Sequence, residues 1–229
     1  MDAHKPKSPH TWGELIGEIG VIVLGVLIAL GAWEVVEILH GRHQVAETRQ
    51  ALRSELGDNA NYAFLHRATY RCNAESLAHL RGALLKSGPA WKGQAVRYQA
   101  LTFPWDTSAW RMALTSGALA HMSPQELNGY ALAYRYPDAF LAQEAGAQDD
   151  AAELDLLTQD MSLGDGMRGR MLEAVNKAER ENWLMAIAAK AFLEAAATQS
   201  VTLSEPAKQH LQAQVGGPDD DCYPRPKVG

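Results

Sequence analysis

With 229 residues, 47% of them hydrophobic and 21% charged, the chain is long enough to bury a core and has the charge content of an ordinary globular protein. Its 21 Lys and Arg stand against 27 Asp and Glu, and the net charge of -6 removes the general attraction for phosphate on which nucleic-acid binding rests. Only two cysteines occur, Cys72 and Cys222, without a CxxC pair, which excludes thiolate zinc sites and iron–sulfur clusters built from this chain alone.

The first element in chain order is an apolar run over residues 15–38, whose central part, residues 19–33, carries no charge. At about 1.5 Å per residue, residues 16–36 give a helix of about 31 Å, which matches a hydrocarbon core of roughly 30 Å. Trp12 and Trp33 stand near its ends, where aromatic rings favour the headgroup level, and Thr11 with Glu14 makes a capping-box pattern. The run therefore reads as a transmembrane helix. Its rivals are a buried soluble helix and a signal peptide cut near Ala29-Leu30-Gly31, the latter opposed by Glu14 and Glu18 at the start of the run. Glu18 and Glu34 read as snorkelling side chains at the two interfaces, with a functional role as the alternative. Gly13, Gly17 and Gly20, and Gly25 with Ala29, line two small-residue faces that permit close helix approach, so self-association or docking of a partner helix is a candidate role for them.

Beyond the span, residues 34–86 are rich in helix formers and hold no proline. Val45, Leu52 and Leu56 share one stripe. Gly57-Asp58 predicts a stop and a new N-cap, followed by a second helix over residues 58–85 carrying Phe64, Ala68, Cys72, Leu77, Leu80 and Leu84. Residues 90–107 hold Trp91, Tyr98, Phe103 and Trp105 without a period, the pattern of an ordered loop pinned by apolar anchors. A short helix with Trp110, Met112, Leu114 and Leu119 follows. Ser123-Pro124-Gln125-Glu126 then combines a serine cap, proline at the first helical position and glutamate at the third. That helix meets Pro137 and continues or restarts toward Leu157; further helices run over about residues 167–197 and from Ser204-Glu205-Pro206 to about Val215. With no repeat and no strand pattern of period two, the expectation is an all-α fold. It comprises a tail (1–14), a transmembrane helix (15–38), a bundle-like helical domain (39–215) and a Pro/Gly/Asp-rich tail (216–229).

The segment Gly17-Glu18-Ile19-Gly20-Val21-Ile22-Val23-Leu24-Gly25-Val26-Leu27-Ile28-Ala29-Leu30 resembles the N-terminal signature of a family of uncharacterised proteobacterial single-pass membrane proteins. Trp105-Asp106-Thr107-Ser108-Ala109-Trp110, Ser116-Gly117-Ala118-Leu119-Ala120-His121-Met122 and Tyr130-Ala131-Leu132-Ala133-Tyr134 look like blocks shared by its members. The resemblance implies an uncleaved anchor in the bacterial inner membrane and a helical domain outside it, and carries no activity. Charge alone points the other way, since Arg42, Arg49 and Arg53 follow the span while only Lys5 and Lys7 precede it. Two cysteines about 150 residues apart suit a disulfide clip in an oxidising compartment, in agreement with the resemblance and with a periplasmic domain. The alternative is two unrelated thiols.

Residues that could carry chemistry are few. Glu37-x-x-His40 with His43 places ligands on one helix face, but a carboxylate-bridged di-metal bundle needs a second Glu-x-x-His, which is missing, so no metal or cofactor is expected. His66, His79, His121 and His210 are scattered and read as surface or internally satisfied residues. No Gly-x-Ser-x-Gly, His-Glu-x-x-His or phosphate loop appears, and no catalytic residue is assigned. The leading expectation is a membrane-anchored, non-enzymatic interaction or scaffold protein whose partners are the lipid bilayer, a further copy or an envelope protein. The alternative is a small-molecule or lipid-binding module with a pocket lined by Trp105, Trp110, Tyr130 and Tyr134.

Overall fold

The computed structural model describes residues 12–215, apart from the side chains of Glu14 and Leu15. The fold is all-α: α1 Trp12–Lys86, α2 Ser108–Ser116, α3 Pro124–Tyr134, α4 Tyr136–Asp155, α5 Asp165–Thr198 and α6 Glu205–Val215. Two-residue strands β1 (Ala90–Trp91) and β2 (Met161–Ser162) pair antiparallel. The sequence predicts no strand; a two-residue pairing, extended by Leu163 N–H donating to Pro89 O at 2.7 Å, is too short to leave an alternation. The chain divides into two compact units, Met1–Glu47 and Thr48–Gly229.

Within the first unit, the helix from Ile16 onward is long and apolar enough to cross a membrane. Its most apolar 18 residues have a mean hydropathy of 2.4 and none of them is buried. The Thr11–Glu14 capping pattern lies outside the described residues.

In the second unit α1 runs unbroken through Gly57-Asp58, so the predicted stop there is a correction. A glycine inside a helix costs about 1 kcal/mol relative to alanine, but fully enclosed Leu52, Leu56 and Ala63 hold the helix on both sides of it. The neighbouring polar groups are committed to tertiary partners rather than to a cap. Asn59 Nδ2 donates to Asp106 O at 2.7 Å and its Oδ1 accepts from Asp106 N–H at 3.1 Å. Asn73, four turns on, repeats the arrangement with Gln99: its Nδ2 donates to Gln99 O and its Oδ1 accepts from Gln99 N–H, both at 3.0 Å. These two carboxamides act as peptide groups and pin residues 92–107 to α1. The predicted anchors do the rest, Trp91, Tyr98 and Trp105 all being buried, with Trp91 Nε1 donating to Leu157 O at 2.8 Å.

Helix ends follow their local chemistry. Arg168 on α5 closes the C-terminus of α1 by donating to Leu84 O and Ser87 O at 2.7 Å and to Gly88 O at 3.1 Å. The helix predicted to carry Leu119 ends earlier, because Gly117 adopts φ 77° and breaks α2 before a 3-10 turn over Ala118–His121. Ser123 caps α3 as its sequence predicts, its Oγ accepting from Glu126 N–H at 3.2 Å with Pro124 in the first turn. Pro137 sits in the first turn of α4, where its missing N–H is not needed, so the chain restarts rather than kinks. The core gathers Leu77, Leu80 and Leu84 of α1 with Leu154, Leu157, Leu163, Met171 and Val175.

Candidate functional site

Four arrangements in the second unit bear on function. The most enclosed is built on Glu144. Along α4 the buried positions Pro137, Phe140, Glu144, Ala147, Asp150 and Leu154 recur every three or four residues, so Glu144 and Asp150 occupy places in an otherwise apolar row. Glu144 Oε1 accepts from Trp105 Nε1 at 2.8 Å and lies 2.8 Å from His66 Nε2; its Oε2 accepts from Phe103 N–H at 3.1 Å. With the carboxylate ionised, His66 Nε2 carries the shared proton. Both side chains are 3% exposed, so this couple does not reach solvent. Rings wall it in: Trp105 stacks on Phe140 at 4.1 Å, His66 stacks on Phe140 at 5.7 Å, and Phe192 meets Trp105 edge-on at 6.1 Å.

The second arrangement holds the N-terminus of α2. The carboxylate of Glu55 accepts from Ser108 Oγ at 3.0 Å and from Ala109 N–H at 2.7 Å, satisfying orphan groups of the first turn and its positive dipole end. The Ser108 N–H beside Asp106 holds that carboxyl below the usual carboxylate range. Tyr134 stacks on Trp110 at 5.2 Å and donates to Leu52 O at 3.1 Å; burial pushes its phenol up.

The four aromatic pocket candidates thus fall into two packed clusters. Trp105 belongs to the Glu144 group and Trp110 with Tyr134 to the α2 group, while Tyr130 is fully enclosed on α3. None of them lines the groove described below.

The third arrangement is a group of buried polar atoms between α4, α5 and the pinned loop. Asp150 Oδ2, Glu181 Oε2 and Tyr98 Oη are buried without a hydrogen-bond partner among the described residues. Burial raises both carboxyls, and the charge of Asp150 raises Glu181 further; Lys177 and Arg180 act against this at Asp150, and Arg180 does so at Glu181. Burial likewise raises the Tyr98 phenol. Gly146 makes room for the cluster, since a Cβ there would stand 2.8 Å from Glu181 Oε1.

The fourth is an open groove of about 450 Å³ between α1, α5 and the segment leading into α6. Phe64, Ala68, Leu193, Val201 and Leu203 supply apolar surface; Arg67 and Lys208 bring positive charge.

Of the other sequence candidates, Cys72 is buried on α1 and Cys222 lies outside the described residues. Gly13, Gly17, Gly20 and Gly25 have open space where a Cβ would stand, and Ala29 is exposed. Glu37 and His40 are exposed, and His43 pairs with Glu47 at 3.1 Å. No group of three or more His, Cys, Asp or Glu side chains suited to a metal occurs among the described residues. Sequence reasoning missed Glu55, Asn59, Asn73, Glu144, Asp150 and Glu181; for Glu144 and Asp150 the signal was present, as acids at apolar positions of a helical row. Comparison with protein-family models, with curated proteins and with solved structures finds no match for this chain.

Proposed function

We propose that this chain is a single-pass protein of a bacterial inner membrane, anchored by the apolar part of α1, whose helical domain lies in the periplasm and acts as a non-enzymatic binding or scaffold module. The observation that carries it is the wholly exposed apolar helix, since so large an uncovered apolar surface is stable only against lipid or another protein. The open small-residue faces of Gly13, Gly17 and Gly20 and of Gly25 with Ala29 give that helix a surface for a second copy or for the anchor of an envelope partner. A binding rather than catalytic role is supported by the buried His66–Glu144 couple being sealed behind rings, away from solvent. Cys72 and Cys222 form a disulfide in this reading, tying residues 216–229 to α1.

Thiol labelling of Cys72 and Cys222 in intact cells, in cells with a permeabilised outer membrane and in lysed cells, each with and without reductant, tests this. The expected result is thiols that react only after reduction and without opening the cytoplasmic membrane. Thiols that are free, yet protected until that membrane is opened, would place the domain in the cytoplasm and overturn the reading. Release of the chain from membranes by alkaline carbonate would refute the anchor itself.

A further inference from the structure

Three buried oxygens, Asp150 Oδ2, Glu181 Oε2 and Tyr98 Oη, have no hydrogen-bond partner among the described residues. They come from α4, α5 and the pinned loop, and Asp150 and Tyr98 are only 7% and 8% exposed. Tyr98 packs in the same core cluster as Leu154, Ala174 and Ala178. Asp150 stands one turn before Leu154 on α4 and Glu181 one turn after Ala178 on α5, which seats the phenol at the level of both carboxylates. The negative charge of each raises that phenol beyond the effect of burial. Gly146 lets the Glu181 side chain lie against α4, where any Cβ would meet Glu181 Oε1.

The surrounding side chains do not balance this group. Asp149 and Glu153 add like charge near Asp150, Lys177 is engaged by Glu173 at 3.4 Å, and Arg180 is exposed. Buried charges in native folds are paired or coordinate a metal, and a proton shared by the two carboxyls would still leave Tyr98 Oη unmatched. All three donors are hard oxygens, two of them anionic, a set that suits Ca2+ rather than zinc or copper. Mg2+ keeps several waters in a near-octahedral shell, which a mostly buried site does not provide. Glu181 is partly exposed and gives an ion its way in from solvent.

We infer that Asp150, Glu181 and Tyr98 form a binding site for one Ca2+ ion, which joins α4, α5 and the loop over residues 92–107. The site goes beyond the proposed function by making the firmness of that joint depend on calcium. Without the ion the two carboxylates repel each other; with it their charge is cancelled in place.

The full-length protein in detergent, stripped with a chelator and titrated with CaCl2 against KCl of equal ionic strength, tests the site. The expected result is a saturable rise in Tm of at least about 3 °C with CaCl2 alone. Equilibrium dialysis is expected to find one radiolabelled calcium bound per chain. Asp150→Asn loses both signals, as does Glu181→Gln, whose partly exposed position decides the point should Asp150→Asn not fold. Asp149→Asn, which removes the same charge one residue away, keeps both. Tyr98→Phe retains the ring without its oxygen and needs more CaCl2 to reach half of the shift. No rise in the parent overturns the site. A rise that KCl reproduces, or that persists undiminished in Asp150→Asn or Glu181→Gln, means an adventitious ion only and overturns it too. An unchanged half-point in Tyr98→Phe removes the third ligand and overturns the site as assigned.

Discussion

His66 Nε2 and Glu144 Oε1 meet at 2.8 Å across two helices 78 positions apart in the chain, at the centre of the second unit. Each is 3% exposed, so neither finds water if the other is lost. Breaking one side of such a buried pair costs about 3–5 kcal/mol. Glu144→Ala also orphans Trp105 Nε1 and Phe103 N–H, so a loss in the upper part of that range is expected in urea denaturation of the detergent-solubilised protein. A loss below about 1 kcal/mol would mean the pair does not organise the core.

The pinned loop makes a second prediction. Asn73→Ala leaves the N–H and C=O of Gln99 without their partners, and each unsatisfied buried group costs about 1–3 kcal/mol. The amide of Gln99 is expected to exchange with deuterium much faster in the variant, while that of Asp106, held by Asn59, keeps its protection. Equal acceleration at both positions would show that the loop opens as one piece and that the two asparagines are not separate pins.

Gly57→Ala tests the continuity of α1. Nothing stands within 4 Å of the position its Cβ would take, and the residue lies inside the helix, so alanine is expected to stabilise by up to about 1 kcal/mol. Had the helix ended there in a left-handed turn, alanine would destabilise instead. The shift of the urea midpoint gives the sign.

The Asp150–Glu181 cluster predicts a pH dependence. Both carboxyls bind protons more tightly in the folded chain than in the unfolded one, with Asp149 beside both, Glu153 near Asp150, and Lys177 and Arg180 only partly compensating. Their contribution to stability is therefore fully present below the ordinary carboxylate range and is lost as pH rises through the raised folded values. Glu126 runs the other way: the Arg49 guanidinium, 2.7 Å from its Oε2, lowers it, so its contribution is lost as pH falls. Comparing Asp150→Asn with the parent isolates the cluster. The variant is expected to be the more stable of the two at pH 7, with the difference shrinking toward pH 4. A difference independent of pH would remove the titration as its cause.

The elements legible beforehand are those whose cause is local. The apolar run of α1 needs only its own composition, and the Ser123 start of α3 needs only a serine, a proline and a glutamate at set positions. The anchors Trp91, Tyr98 and Trp105 announced an ordered loop because large rings are seldom left in water. Gly57-Asp58 misled for the converse reason: its local signal is weak, and partners as distant in the chain as the Asp106 backbone, held by Asn59, decide against it.

By itself, then, the sequence determined that the chain is helical, that it carries a helix able to cross a membrane, and where α3 begins, since periodicity, hydropathy and capping act within a few residues. The tertiary structure alone decided that Glu144 joins His66 and Trp105, that Asn59 and Asn73 hold the loop, that Asp150 and Glu181 share a buried site, and that Phe64 and Leu193 line one open groove. Each of those depends on which helix faces meet, and a polar residue in an amphipathic row shows its partner only once the faces are paired.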